Sequence, residues 1–169
     1  KYVKLNNIRS YEYQKVDFSQ GSTLLAGDIG SGKSSILLAI EFALFGTKRS
    51  ELSGTSLLRH GKKEGIVELN FELNGKDVIV NRKLKRGKED VAQEAGFIVV
   101  NGIKKEASAV ELKAEILDLL GYPKELVSKS KDLIYRYSVY IPQEQMKQII
   151  FEDKDIRLDT LRKVFNIDK

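Results

Sequence analysis

The 169-residue sequence has no cysteine, no tryptophan, one histidine, one methionine and two prolines. Without cysteine there is neither a disulfide framework nor a thiolate metal site. The lone His60 stands among Arg59, Gly61, Lys62 and Lys63 and reads as an exposed loop residue rather than a catalyst. No apolar run approaches the roughly 18 residues of a membrane span, and nothing resembles a signal peptide. An intracellular, soluble protein without a membrane partner is therefore expected. The first residue is Lys1 rather than Met, which suggests an ordered fragment.

The rest of the composition is that of a globular domain with its own core: 41% hydrophobic and 31% charged. A net charge of +5 permits a polyanionic partner, although a nucleotide alone would use part of it.

Gly27-Asp28-Ile29-Gly30-Ser31-Gly32-Lys33-Ser34 fits G-x-x-x-x-G-K-[ST], the loop that wraps backbone N–H groups around nucleotide phosphates. Its flanks suit that reading. Ser22–Ala26 is a short apolar β-former expected to lie buried in a sheet, and Ser34–Phe45 is an apolar helix closed by Gly46. Gly27, Gly30 and Gly32 let the backbone approach phosphates closely, and the positive end of the helix faces the same concavity. Lys33 would neutralise the β- and γ-phosphates, and the Ser34 hydroxyl would ligate magnesium. The alternative is a glycine-rich turn that merely starts a helix, but all four fixed positions are filled.

Along the chain, Tyr2–Ile8 and Tyr13–Phe18 alternate apolar and polar residues as strands, separated by Arg9-Ser10-Tyr11. Three strands are thus expected before the helix. Residues 46–59 read as a loop with an apolar patch at Leu57-Leu58. Ile66–Leu73 and Lys76–Leu84 flank Asn74-Gly75, a strong hairpin signal. Lys85–Gly96 reads as a charged, mobile tip. Phe97–Val100, Asn101-Gly102 and Ile103 form a second hairpin. Ser108 and Glu111 make a capping box for a helix to Leu120, closed by Gly121. Beyond it, Pro123 can open a helix, Tyr135–Ile141 reads as a strand, and 146–151 and 155–165 as helices. Tyr135 and Tyr137 share a strand face and read as core or interface. The pattern is an antiparallel β-lobe laid against an α/β core.

An acidic residue ending an apolar strand, which P-loop hydrolysis uses to hold magnesium, is missing. Ile98-Val99-Val100 ends in Asn-Gly, and Asp132 precedes its apolar run. Either another segment supplies the acid or the chain is a binding module.

Nearly the whole chain resembles the N-terminal half of an ATP-binding-cassette head of the SMC type, most of all the Rad-fifty/SbcC DNA double-strand-break repair ATPases. The resemblance rests on Asn7-Ile8-Arg9-Ser10, on GDIGSGKSS followed by Ala39-Ile40 and Ala43-Leu44-Phe45-Gly46, and on Tyr140-Ile141-Pro142-Gln143-Glu144-Gln145, which looks like the Q-loop. Val164–Lys169 looks like the entry into the family's coiled coil, which would begin just after 169. Two positions depart from the family pattern: Ile29 stands where Asn is usual, and Pro142 where a polar or basic residue is usual.

The resemblance implies a P-loop NTPase of ABC type whose N-terminal lobe spans 1–169, with an antiparallel β subdomain packed on the P-loop helix. It implies ATP and magnesium, with Gln143 contacting magnesium and the attacking water, and Arg9 or Ser10 beside the nucleotide. The candidate nucleotide-binding set is Arg9, Ser10, Gly27, Asp28, Gly30, Ser31, Gly32, Lys33, Ser34 and Ser35. Lys33 and Gln143 are the catalytic candidates, and Ser34 and Gln143 the metal ligands. It also implies a C-terminal half carrying the signature motif and catalytic acids, a homodimer of heads driven by ATP, a Mre-eleven-type nuclease partner, and double-stranded DNA or DNA ends as substrate. Arg59, Lys62 and Lys63, with Arg82, Lys83, Lys85, Arg86 and Lys88, could meet DNA phosphates or form a solvated strand and tip. Condensin-like SMC proteins, RecF-like loaders, a small-molecule kinase and a nucleotide-binding module without turnover are the other readings. The two hairpins stand where a kinase would have helices and argue against that one.

Overall fold

The computed structural model describes residues 1–47, 52–121, 153–155, 158 and 162. The chain divides into two compact units, Lys1–Leu120 and Gly121–Lys169. In the second unit the described residues Lys154, Asp155, Leu158 and Arg162 are helical and exposed.

The first unit is built on one antiparallel sheet. Its strands are β1 (Tyr2–Ile8), β2 (Tyr11–Asp17), β3 (Glu64–Leu73), β4 (Lys76–Arg86), β5 (Val91–Gln93), β6 (Gly96–Val100) and β7 (Ile103–Ala107). The order is β2-β1-β3-β4-β6-β7, with β5 paired to the end of β4. Both Asn-Gly pairs make the turns their chemistry suits. Asn74 and Gly75 have φ of 51° and 74°, and Asn101 and Gly102 have 48° and 81°. Such left-handed pairs match the twist of the strands they join. They set the registers Leu73↔Lys76 and Val100↔Ile103.

Alternation then sorts the side chains. Val3, Leu5, Val67, Leu69 and Leu84 face the P-loop helix α1 (Lys33–Phe45), which contributes Ile36, Leu38, Ala39, Phe42 and Ala43. Val78, Val80 and Ile98 face α3 (Ala109–Leu119), which contributes Leu112 and Ile116. Each buried Val, Leu, Ile or Phe among them contributes about 1.5–3 kcal/mol by leaving water. The Ser108–Glu111 capping box forms as the sequence suggests, with both reciprocal bonds present.

Three expectations fail. Ser22–Ala26 is not a strand, so two strands precede α1 rather than three. Leu24 is 89% exposed. A strand must pair its backbone groups with a neighbour, and none of the strands among the described residues is hydrogen-bonded to this segment. Lys85–Gly96 is not a mobile tip. β4 continues to Arg86 and β5 pairs with it, through Leu84↔Gln93, Lys85↔Ala92 and Arg86↔Val91. The 46–59 stretch holds a helical turn, α2 (Gly54–Leu57), capped by Ser53, and Leu57 and Leu58 are buried. The expected elements at 123, 135–141 and 146–151, and Gln143 with its loop, lie outside the described residues, as does most of 155–165.

Candidate functional site

α1 lies across β1, β3 and β4, and this places its N-terminus beside the β1–β2 turn. Gly32 is the N-cap residue, left-handed at φ 95° and ψ 5°, with no side-chain cap. A helix start leaves its first N–H groups without intrahelical acceptors and concentrates positive potential there. Gly32 O accepts from Ser35 N at 2.9 Å and from Ile36 N at 3.3 Å, which tightens the first turn.

Lys33 folds back beneath the loop. Its Nζ donates to Gly27 O and Asp28 O, both at 2.7 Å, and to Ser31 Oγ at 3.2 Å. Three acceptors match the three donors of an ammonium, so the charge is fixed at the centre of the loop. Ser31 N in turn donates to Asp28 O at 3.2 Å.

The loop rests on the β1–β2 turn. The Tyr11 hydroxyl donates to Ser31 O at 3.3 Å. A Cβ at Gly32 would lie 2.7 Å from the Tyr11 hydroxyl oxygen and 2.8 Å from Ser10 Oγ, so only glycine fits there without movement. Arg9 itself is left-handed at φ 48°, a conformation that costs a non-glycine residue about 1–2 kcal/mol. Arg9, Ser10, Gly30, Gly32, Lys33, Ser34 and Ser35 line one open pocket of about 310 Å³. Among the described residues that lining contains two cationic residues, three serines and no carboxylate.

Seven of the sequence-derived candidates therefore converge on one pocket. Gly27, Asp28 and Ser31 form the loop wall that holds Lys33. Among the described residues no group of three or more His, Asp or Glu comes together as a metal site. Neither Tyr11, read only as part of the break between two strands, nor Arg59, read only as a basic residue that could meet DNA phosphates, was expected at this site. Arg59 Nη1 donates to Ser10 O at 2.5 Å and to Arg9 O at 3.3 Å.

The basic cluster needs a correction. Arg82 is fully buried, so it cannot meet a polyanion. Its Nε donates to Ala43 O at 2.7 Å, and its other nitrogens to Leu44 O and Ala109 O at 3.3 and 3.4 Å. It thus closes the C-terminal end of α1 and joins it to the start of α3. Burial lowers its pKa to about 10, which leaves it protonated at neutral pH. Lys62 pairs with Glu12 at 2.7 Å and Lys85 with Glu94 at 3.1 Å. His60 is exposed in a turn, as its surroundings suggested.

Comparison with known proteins adds the following. A model of the AAA domain family matches residues 2–169. A DNA double-strand break repair Rad50 ATPase of Methanococcus maripaludis is 31% identical over the whole chain, which corresponds to 16% of that protein. The Rad50 ATPase of Thermoplasma acidophilum is 32% identical over 99% of the chain and 18% of its own length. The chain thus spans about one sixth of the length of these curated relatives. Among solved structures, RecF bound to ATP superimposes with a TM-score of 0.49 at 23% identity, over 66% of this chain and 29% of that one. No helix among the described residues is long and apolar enough to cross a membrane.

Proposed function

This chain belongs to the AAA domain family and has the fold of the N-terminal half of an SMC-type ABC ATPase; from that premise we propose that it binds the phosphates of Mg-ATP at the Gly27–Ser35 loop and works in a DNA double-strand-break repair ATPase. The observation that carries this reading is the convergence of Arg9, Ser10, Lys33, Ser34 and Ser35 on one pocket at an uncapped helix N-terminus.

The donor set suits the ligand. A triphosphate needs N–H donors and fixed positive charge, and the loop supplies both at a place where Gly32 leaves no side chain in the way. Lys33 gives up its longest contact, to Ser31 Oγ, to reach the β- and γ-phosphates while its two carbonyl bonds hold the ammonium in place. The Ser34 hydroxyl would hold magnesium, together with Gln143 from the Q-loop. Held there, magnesium would supply positive charge against the negative charge of the triphosphate. Arg9 and Ser10 approach from the β1–β2 turn and close the pocket on that side.

With no carboxylate among the described residues of the lining, hydrolysis calls for an acid from beyond them. In this reading the C-terminal half of the head supplies it, and two heads close on ATP to control DNA binding and access of a Mre-eleven-type nuclease. Alone, the chain binds nucleotide weakly and turns it over negligibly. The test is ATP-dependent association of the intact protein, followed by light scattering. Wild type dimerises with Mg-ATP and Lys33→Ala does not; undiminished dimerisation of Lys33→Ala would sink the assignment.

A further inference from the structure

Arg59 lies outside the lining of the phosphate pocket, yet it is half-buried and turned towards the pocket's edge. One of its terminal nitrogens, Nη1, reaches two consecutive backbone carbonyls of the β1–β2 turn, Ser10 O at 2.5 Å and Arg9 O at 3.3 Å. The backbone around it is fastened to the same turn from both directions. Arg9 N donates to Leu57 O at 2.8 Å, and Arg59 N to Asn7 O at 3.0 Å. Leu58 forms an antiparallel bridge with Ile8.

These contacts hold an unusual piece of backbone. Asn7 and Arg9 both have positive φ, 51° and 48°, two residues apart and without a glycine between them. Such conformations persist where the surroundings over-determine them. The strap that imposes them is itself anchored. Leu57 and Leu58 are buried, and Gly54 sits so close beneath β5 that a Cβ there would lie 2.3 Å from Val91 O.

From this geometry we infer that Arg59 is a positioning residue for the phosphate site. Its guanidinium clips the Arg9 and Ser10 carbonyls and so holds the turn that presents Arg9 and Ser10 to the pocket. The inference rests on reading that pocket as the nucleotide site. It departs from the charge-based reading of Arg59 as a contact for DNA phosphates, because its working contacts are carbonyl acceptors within the chain.

The test is a double-mutant cycle on Mg-ATP affinity, measured by titration calorimetry on the intact protein. Arg59→Met keeps the apolar stem and removes the donors. Arg59→Met and Arg9→Ala each weaken binding about tenfold, and the double variant is no weaker than the worse single one, because Arg59 acts through the turn. Arg59→Lys, whose ammonium can still donate to both carbonyls, recovers affinity to within about threefold of wild type. Additive losses in the double variant, or wild-type affinity in Arg59→Met, overturn the inference. Lys33→Ala is run alongside. If Lys33→Ala binds Mg-ATP as wild type does, the nucleotide reading itself fails. If Lys33→Ala loses binding while Arg59→Met keeps it, only the role of Arg59 fails. Should Arg59→Met not fold, Arg59→Gln takes its place, since its shorter amide falls away from the turn. Hydrogen exchange then reads the turn directly. Faster exchange at Ser10 and Tyr11 with the sheet unchanged supports the clip, and unchanged exchange there overturns it.

Discussion

Replacing Gly32 by alanine separates two costs that the phosphate loop normally avoids. Gly32 has φ 95° and ψ 5°, and placing an L-residue in the left-handed region costs about 1–2 kcal/mol. The added methyl also meets the Tyr11 hydroxyl oxygen at 2.7 Å, the Tyr11 ring carbon bearing it at 2.9 Å and Ser10 Oγ at 2.8 Å. Ser10 can rotate away. Tyr11 can yield only by moving its ring, which breaks its hydrogen bond to Ser31 O and costs about 1 kcal/mol more. The sum is about 2–3 kcal/mol for Gly32→Ala. Gly30→Ala is the internal control. Gly30 has φ 84° but nothing within 4 Å of a built Cβ, so it pays only the backbone cost of about 1–2 kcal/mol. Urea unfolding without nucleotide measures both. Gly32→Ala should also lose at least about tenfold in Mg-ATP affinity, because the uncapped helix start is displaced. Equal stability of the two variants would refute the claim that the loop is seated on Tyr11.

Other perturbations follow from the same contacts. Arg82→Met removes a buried charge together with its three carbonyl bonds; a net loss of about 2 kcal/mol and faster exchange at the end of α1 are expected. Ser108→Ala removes the N-cap of α3 and should cost about 1 kcal/mol by thermal unfolding. Gly96→Ala would place a Cβ 2.1 Å from Asn81 O, so the β4–β6 pairing should part, with early exchange at Val80 and Ile98. Glu68 is partly desolvated, which alone would raise its pKa, but hydrogen bonds from Lys4, Tyr2 and Asn81 hold it below the usual carboxylate value. Its contribution is therefore present above the ordinary carboxylate range and lost as pH falls through the lower folded value. Glu68→Gln should flatten the acid limb of a stability–pH curve while leaving its neutral-to-alkaline shape unchanged.

Local chemistry was legible in the sequence wherever a few neighbouring residues decide the outcome. The glycines and Lys33 specify the loop, each Asn-Gly pair fixes a hairpin register, and Ser108 with Glu111 starts a helix. What escaped depends on distant partners. Ser22–Ala26 has the composition of a strand, but pairing belongs to the sheet and not to the segment. Gly96 ends the charged 85–96 stretch and reads as part of a tip, while its real constraint is the approach of Asn81 O across a strand pair. Arg82 left a trace that was missed. It follows Val78 and Val80 and precedes Leu84 at a spacing of two, on the inward face of β4, so its burial was written in the alternation. Arg59 left no local trace, because both carbonyls it holds lie about fifty positions earlier in the chain.

The central claim is that nucleotide phosphates sit on the N–H groups at the start of α1, beside the β1–β2 turn. Amide chemical shifts recorded while Mg-ATP is added test this directly. The account predicts the largest changes at Gly30, Gly32, Lys33, Ser34 and Ser35, with smaller ones at Arg9, Ser10 and Tyr11, all abolished in Lys33→Ala. Saturable shifts centred elsewhere, or the same shifts persisting in Lys33→Ala, would contradict it.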